Sequence, residues 1–315
     1  MKPRTVCILG GTGFVGRHLV GQLFDDGYRV KVLTRNRERH RELLVLPTVD
    51  VLDANVHDPD TLRSAFAGQD VVINLVGILN ERRPGQFRHT HVELTRKVIE
   101  ACRAAGVKRL LHMSALGADP RGPSEYQRTK GEAEELVRAA TDLQPTIFRP
   151  SVIFGEGDSF FNRFAGLLKL TPFVFPLACP NARFAPVYVG DVAHAYRVAV
   201  YHKETPGQTY ELCGPRAYTL RELVEYTAQL AGRHRYVLAL GDGASRLQAR
   251  IAQRLPGKPF SMDNYHSMQR DNVCDGPFPA VFGIAHPTTI EARVPLYLAH
   301  RRTRDRLTHM RRTRE

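Results

Sequence analysis

Tyr126 and Lys130, in the run Tyr126-Gln127-Arg128-Thr129-Lys130, stand four residues apart, a spacing that puts a phenol and an ammonium on one face of a helix. A phenol titrates near pH ~10 and is a poor acid at neutrality. An adjacent ammonium, together with the cationic ring of a bound nicotinamide, favours its phenolate and lets it exchange a proton, so such a pair can serve hydride transfer. Ser114 lies directly after a β-rich run, and Ser124 stands two residues before Tyr126. A lone YxxxK is common on exposed helix faces, so the pair takes its meaning from what surrounds it.

The chain opens with Thr5-Val6-Cys7-Ile8-Leu9 running into GGTGFVG, Gly10 to Gly16. A buried strand that turns through glycines into a helix is a dinucleotide-binding signature. Gly10 and Gly11 permit the tight turn, Gly13 lets the backbone approach a pyrophosphate, and Gly16 lets the helix through Arg17 to Leu23 pack on the strand. The helix N-terminus then offers unpaired N–H groups and a positive dipole end to the phosphates. The next strand ends in Thr34-Arg35-Asn36-Arg37, where a carboxylate would select the ribose 2′-hydroxyl of NAD. A guanidinium suits a 2′-phosphate, so Arg35 favours NADP(H), with NAD(H) as the alternative and a solvated basic loop as the bland reading.

These groups need a scaffold, and the first half of the chain supplies one. Strands are expected at Val30 to Thr34, Thr48 to Leu52, Val71 to Leu75, Arg109 to Met113 and Pro145 to Phe148. Helices fit Asp60 to Ala67, Thr90 to Ala105 and Tyr126 to Ala140, where apolar residues recur at three- and four-residue spacing. The alternation predicts an α/β fold with a doubly wound parallel sheet whose strands carry ligands at their carboxyl ends. Beyond Pro150 the pattern loosens, and the Thr219-Leu220-Arg221-Glu222 capping box opens one clear helix ending near Gly232. We expect a Rossmann core over 1–155, a smaller C-terminal substrate lobe over 156–300 with segments returning to the core, and a disordered basic tail over 301–315. The apolar stretch from Phe160 to Phe175 is either that lobe's own core or the lining of a cavity for a long isoprenoid or quinone.

Composition narrows the classes. The 315 residues carry 45 Lys plus Arg against 32 Asp plus Glu, a net charge of +13 that favours acidic partners. Seven arginines from Arg301 to Arg314 concentrate the excess, which makes an anionic membrane surface a candidate partner and gives no reason to expect specific nucleic-acid binding. The five cysteines lie far apart without a CxxC, so neither a zinc site nor a disulfide framework is expected and a reducing, cytoplasmic compartment fits. His89 and His91 read as a solvated pair, no HExxH occurs, and no metal site is expected. No apolar run reaches the ~18 residues of a membrane span.

With YQRTK and GGTGFVG, the chain resembles the extended or atypical short-chain dehydrogenases/reductases, the superfamily of epimerase/dehydratase-like enzymes. Further motifs are Asn55-Val56-His57-Asp58, Asn74-Leu75-Val76-Gly77, FRPSVIFGEGD from Phe148 and PVYVGDVAHA from Pro186. More narrowly, RPSVIFGEGDSFFNRF, YELCGPRAYTLRELV and FGIAHPTTIEARVPLYL resemble the dehydrogenase-like accessory subunit of respiratory complex I and its bacterial relatives. That resemblance implies that Gly10, Thr12, Gly13, Phe14, Val15 and Gly16 hold the pyrophosphate and that Arg35 approaches the adenosine-side phosphate. It implies Asn55 and Val56 by the adenine, and Leu75, Val76 and Gly77 by the ribose and nicotinamide. Lys130 would lie by the nicotinamide ribose, and Pro150, Val152 and Ile153 by the carboxamide. Two departures stand out: Asn55 replaces a frequent aspartate, and the serine-rich strand end is reduced to His112-Met113-Ser114-Ala115, so the resemblance implies Ser114 as the hydroxyl that orients a substrate oxygen, with Ser124 as its rival. The resemblance also divides on chemistry between a respiratory or quinone-biosynthesis accessory protein that holds a nucleotide without turning it over and an oxidoreductase. The intact Tyr126/Lys130 pair tilts toward catalysis on a bulky carbonyl, enone or quinone-type substrate, in a protein that is cytoplasmic or peripheral at the inner face of the membrane.

Overall fold

The computed structural model describes residues 4–233, 235–255 and 258–298, so the expected basic tail lies outside the described residues. The described chain divides into two units. The first takes the residues up to Pro150 together with Val189–Leu212 and Pro279–Ala285, and the second takes Ser151–Tyr188, Cys213–Phe278 and the residues from His286 onward.

The first unit is built on β1 (Thr5–Leu9), β2 (Arg29–Thr34), β3 (Val49–Asp53), β4 (Val71–Asn74), β5 (Arg109–Met113), β6 (Gln144–Pro150) and a further strand, Thr209–Leu212. Their spatial order is Thr209–Leu212, β6, β5, β4, β1, β2, β3, and every neighbouring pair is parallel. Strands covered on both faces read as continuous apolar runs, which is why TVCIL and VVIN are buried almost throughout. Successive side chains point to opposite faces: Cys7, Leu9, Val72 and Leu110 pack with Leu62, Phe66, Val98 and Val137 from helices Pro59–Phe66, Leu94–Ala105 and Glu125–Ala139. Helices Phe14–Asp25 and Val189–Ala199 belong together elsewhere in the unit, tied by Gln22 Nε2 donating to Gly190 O (3.3 Å) and by the Arg197–Asp26 ion pair (2.8 Å). The expected doubly wound parallel sheet is what forms.

The strand order reverses between β1 and β4, and at such a switch point a crevice opens at the carboxyl ends of the strands. The glycine loop sits there. Gly10 adopts φ +79°, a left-handed conformation that glycine takes without a Cβ penalty. At Gly16 a Cβ would fall 2.3 Å from Gly10 O and 2.5 Å from Gly11 Cα, so the helix touches the loop backbone to backbone. Gly16→Ala must push these segments apart, and we expect it to lower stability by about 2–3 kcal/mol and to abolish nucleotide binding. Thermal unfolding and nucleotide titration check this, and a variant of wild-type stability would show that the loop yields freely.

The second unit is made of short pieces: parallel ladders Ile153–Phe154 with Val187–Tyr188 and Val174–Leu177 with Tyr236–Ala239, and an antiparallel one of Arg183–Phe184 with Tyr218–Thr219. Helix Leu220–Leu230 opens on the expected capping box, Thr219 with Glu222. Phe161, Ala165, Leu168 and Phe175 pack into this unit's core, whereas Leu170, Phe173 and Val174 of the same apolar stretch face solvent. Cys213 and Cys274 form a disulfide, which corrects the expectation that no cysteines pair. The two are 61 positions apart, and only the fold brings their Cα atoms to 6.0 Å.

Candidate functional site

Helix Glu125–Ala139 carries the Tyr-Lys pair and is fixed at both ends. Ser124 is its N-cap, accepting from Gln127 N at 3.1 Å, so this hydroxyl serves the helix start and Ser114 is left as the candidate for a substrate oxygen. The Ser-x-x-Gln spacing could have shown this in the sequence. Near its other end the fully buried Glu134 accepts from Arg149 Nε (2.8 Å) and Nη2 (2.7 Å) of β6 and pairs with Arg138. A carboxylate shared by two guanidiniums satisfies its lone pairs in a place where an unpaired charge would be costly.

Lys130 is buried, and its Nζ donates to Met113 O at the end of β5 (3.0 Å). A Cβ on Gly77, beyond the end of β4, would come within 3.2 Å of that Nζ, so the bare glycine leaves room for the ammonium. Burial pushes the Lys130 ammonium down to about 8, with Glu134 opposing the shift. The group therefore stays charged at neutrality and is poised to lose its proton in mildly alkaline solution. Ser114, 3% exposed, has a buried Oγ with no hydrogen-bond partner among the described residues, as has His112 Nε2 on the same strand segment. Buried orphan polar atoms need a partner, and a bound ligand is one way to supply it.

His91 is the residue that sequence reasoning misplaces. It is buried rather than solvated, with its ring 5.4 Å from Phe87 and edge-on to Tyr126 at 5.6 Å. Its Nε2 accepts from Ile78 N (3.2 Å), which leaves the proton on Nδ1, facing Thr129 Oγ1 at 3.0 Å. Thr129 in turn donates to Glu125 O (2.9 Å). Burial first, then the Lys130 ammonium, hold His91 down to about 2, so it is a neutral strut between the segment after β4 and the Tyr-Lys helix. A π-helical turn, His89–Glu93, aims it inward, a local irregularity that helical periodicity does not reveal. His89 stays at the surface, stacked on His57.

The other expected residues belong to the first unit, except Val152 and Ile153. Thr12, Gly13, Phe14, Val15 and Gly16 form the start of helix Phe14–Asp25, whose N-cap Gly13 is extended and carries no capping side chain, leaving the first amides for a ligand. A Cβ on Gly10 would meet Leu75 C at 3.2 Å and Val76 N at 3.3 Å, so the loop lies directly against the segment after β4. Exposed Arg35 follows β2, while Asn55 and Val56 follow β3, where Asn55 Oδ1 accepts from His57 N (3.1 Å). Asp53 holds the loop after Arg35 by accepting from Arg37 N at 2.7 Å. Pro150 ends β6 and its carbonyl accepts from Leu116 N (3.0 Å), whereas Val152 and Ile153 belong to the second unit. The open helix N-terminus, the bare glycines and the orphan hydroxyl at one sheet edge fit a nicotinamide dinucleotide.

Comparison with known proteins agrees. An NAD(P)H-binding family profile matches residues 10–159, and a 3-beta hydroxysteroid dehydrogenase/isomerase family profile matches residues 116–222. NADH dehydrogenase (ubiquinone) 1 alpha subcomplex subunit 9, mitochondrial, of Arabidopsis thaliana is 35% identical over 69% of this chain and 56% of its own length. Ceramide reductase of Caulobacter vibrioides is 34% identical over 75% of this chain and 74% of its own length. The chain is thus matched to mitochondrial subunits of this kind over less than two thirds of their length. Among solved structures, UDP-glucose 4-epimerase of Thermus thermophilus in complex with NAD superposes with a TM-score of 0.62 at 24% identity, over 74% of this chain and 85% of that one.

Proposed function

The chain belongs to the NAD(P)-binding, 3-beta-hydroxysteroid-dehydrogenase-like branch of the atypical short-chain dehydrogenases/reductases, and from that membership we propose an NADP(H)-dependent oxidoreductase acting on a bulky apolar carbonyl, enone or quinone-type compound. The observation that carries the proposal is the ammonium of Lys130, buried at the end of β5 on the helix that presents Tyr126. When bound, a nicotinamide supplies or accepts the hydride. Tyr126 passes the proton to the substrate oxygen as the C=O bond becomes C–OH, and Ser114 Oγ donates to that oxygen. Lys130 holds the ribose hydroxyls and stabilises the phenolate once the proton has left. A relative that is a ceramide reductase favours a long-chain lipid carbonyl within this substrate class. The location we propose is peripheral to a membrane; the Cys213–Cys274 disulfide removes the support that unpaired cysteines would give to a reducing, cytoplasmic compartment. Among the described residues no helix is long and apolar enough to cross a membrane.

Mass spectrometry of the nucleotide released from purified protein, followed by assays of NADPH oxidation with long-chain ketones, enones and quinones, tests the proposal. A second reading is favoured by the respiratory subunits among the relatives: a protein that holds its nucleotide as a structural element of a respiratory or quinone-biosynthesis assembly. A bound nucleotide that no compound of that panel oxidises is the outcome that selects it.

Cofactor choice follows from Arg35. We expect NADPH to bind about tenfold or more tightly than NADH, as one charge-assisted phosphate clamp provides. Arg35→Ala should bring the two affinities together by weakening NADPH alone, as measured by fluorescence titration. An unchanged ratio in the variant would remove Arg35 from this role.

A further inference from the structure

Large apolar side chains left in solvent are concentrated on one stretch of the second unit, from Leu170 to Leu255. The parallel ladder pairs Val174 with Tyr236 and Pro176 with Leu238, and since side chains alternate along a strand these four share one face. All four are exposed, while Phe175, Leu177 and Val237 point the other way into the core. Phe173, 79% exposed, extends the same edge, and Leu170, 80% exposed, ends the helix before it. Helix Asp242–Ala252 is joined to this ladder by Gln248 Nε2 donating to Pro176 O (2.9 Å) and by Leu240 N donating to Leu177 O (3.0 Å). Its exposed Leu247 and Ile251 continue to Leu255 at four-residue spacing, forming a second apolar ridge. Ser245, Ala249 and Ala252 are the residues that this helix buries instead.

The charge in the segments that form this face is one-sided. Arg246, Arg250 and Arg254 are exposed and each immediately precedes one ridge residue. Over 159–182 and 233–258 the sequence has eight Lys or Arg and one carboxylate, Asp242, which accepts from the Tyr265 hydroxyl. An apolar stripe bordered by arginines is the make-up of an interfacial helix, whose apolar side chains enter the acyl boundary while the guanidiniums stay at headgroup level. Two copies meeting through this face would bring like charges together, whereas an anionic bilayer complements them.

We propose that this face of the second unit, the Val174–Leu177 and Tyr236–Ala239 ladder with helix Asp242–Ala252, is a docking surface for an anionic lipid bilayer. The surface is separate from the sequence 301–315 and uses no residue of the nucleotide site.

Co-sedimentation of the full chain with vesicles of phosphatidylcholine, with and without phosphatidylglycerol, tests the proposal. Wild type should partition onto the phosphatidylglycerol vesicles and be released by salt. Leu247→Asp with Ile251→Asp should lower the partition coefficient by about tenfold or more, and Arg246→Gln with Arg250→Gln and Arg254→Gln should lower it and flatten its salt dependence. Both variants should bind NADPH as wild type does, which shows that they fold, and vesicle binding is read without turnover, so the reaction proposed above stands or falls separately. Removal of residues 301–315 should leave most of the binding in place. The proposal is overturned if wild type ignores both vesicles, if removing 301–315 abolishes binding while the ridge variants keep it, or if sedimentation velocity shows a dimer or a protein complex, in place of lipid binding, that the ridge variants dissolve.

Discussion

Lowering the pH from 7 to 5 is expected to remove about 4 kcal/mol of folding stability through two buried histidines. Burial holds His91 down to about 2 and His112 to about 3, with Lys130 adding to both shifts. The unfolded chain protonates these rings near their ordinary value of about 6.5, while the folded chain keeps them neutral. The unfolded state therefore binds more protons below that pH, and stability falls as pH falls. Each ring contributes about 1.4 kcal/mol per pH unit, or about 2 kcal/mol between 6.5 and 5, and the loss levels off only below the folded values. His57, also shifted down by burial, acts in the same direction. The carboxylates held low by hydrogen bonds, Asp58 and Asp70 among them, lose their contribution only below about pH 4, outside this window. Urea unfolding at pH 7, 6 and 5 measures the slope, and His112→Asn should reduce it by about one proton. A stability independent of pH over this range would mean that the rings are not held neutral by burial.

His91 also marks where the sequence stops being legible. The sheet is readable because each of its central strands is a short apolar run bounded by glycine or polar residues, and the glycine loop because strand, turn and helix are contiguous. That Ser114 directly follows β5 is readable as well. His91 is not, since nothing in His89-Thr90-His91 says that a π turn will send one ring to solvent and the other against Phe87 and Tyr126. The Thr209–Leu212 strand escapes a reading of the sequence because it joins β6 after a gap of nearly sixty residues, and its exposed Thr209 and half-buried Tyr210 and Glu211 lack the apolar run of a central strand. The Cys213–Cys274 pair is a product of the same long-range folding. Local pattern carries what adjacent residues build, and contacts between distant segments supply the rest.

Replacing Tyr126 with phenylalanine is expected to lower turnover by about 10²- to 10⁴-fold, the contribution of a positioned acid-base group. Tyr126→Phe removes only the hydroxyl and keeps the ring contacts, edge-on to Phe87 at 5.8 Å and to His91 at 5.6 Å, so NADPH affinity should hardly move. A loss in kcat without a loss in binding is the mark of an interaction made in the transition state. Lys130→Met separates the two roles proposed for Lys130, because it deletes the ammonium that would hold the ribose and stabilise the phenolate, so affinity and turnover should both fall. Wild-type affinity supplies a further check. The nucleotide-free protein loses the Lys130 proton as pH rises through about 8, so NADPH affinity should decline above that pH in wild type and stay level in Lys130→Met. If Tyr126→Phe retains full turnover, the phenol only packs against Phe87 and His91. If no compound of the carbonyl, enone and quinone panel oxidises NADPH while the pH-dependent affinity is as expected, the same buried lysine is holding a nucleotide that never reacts, and the chain stands with its respiratory relatives rather than with the reductases.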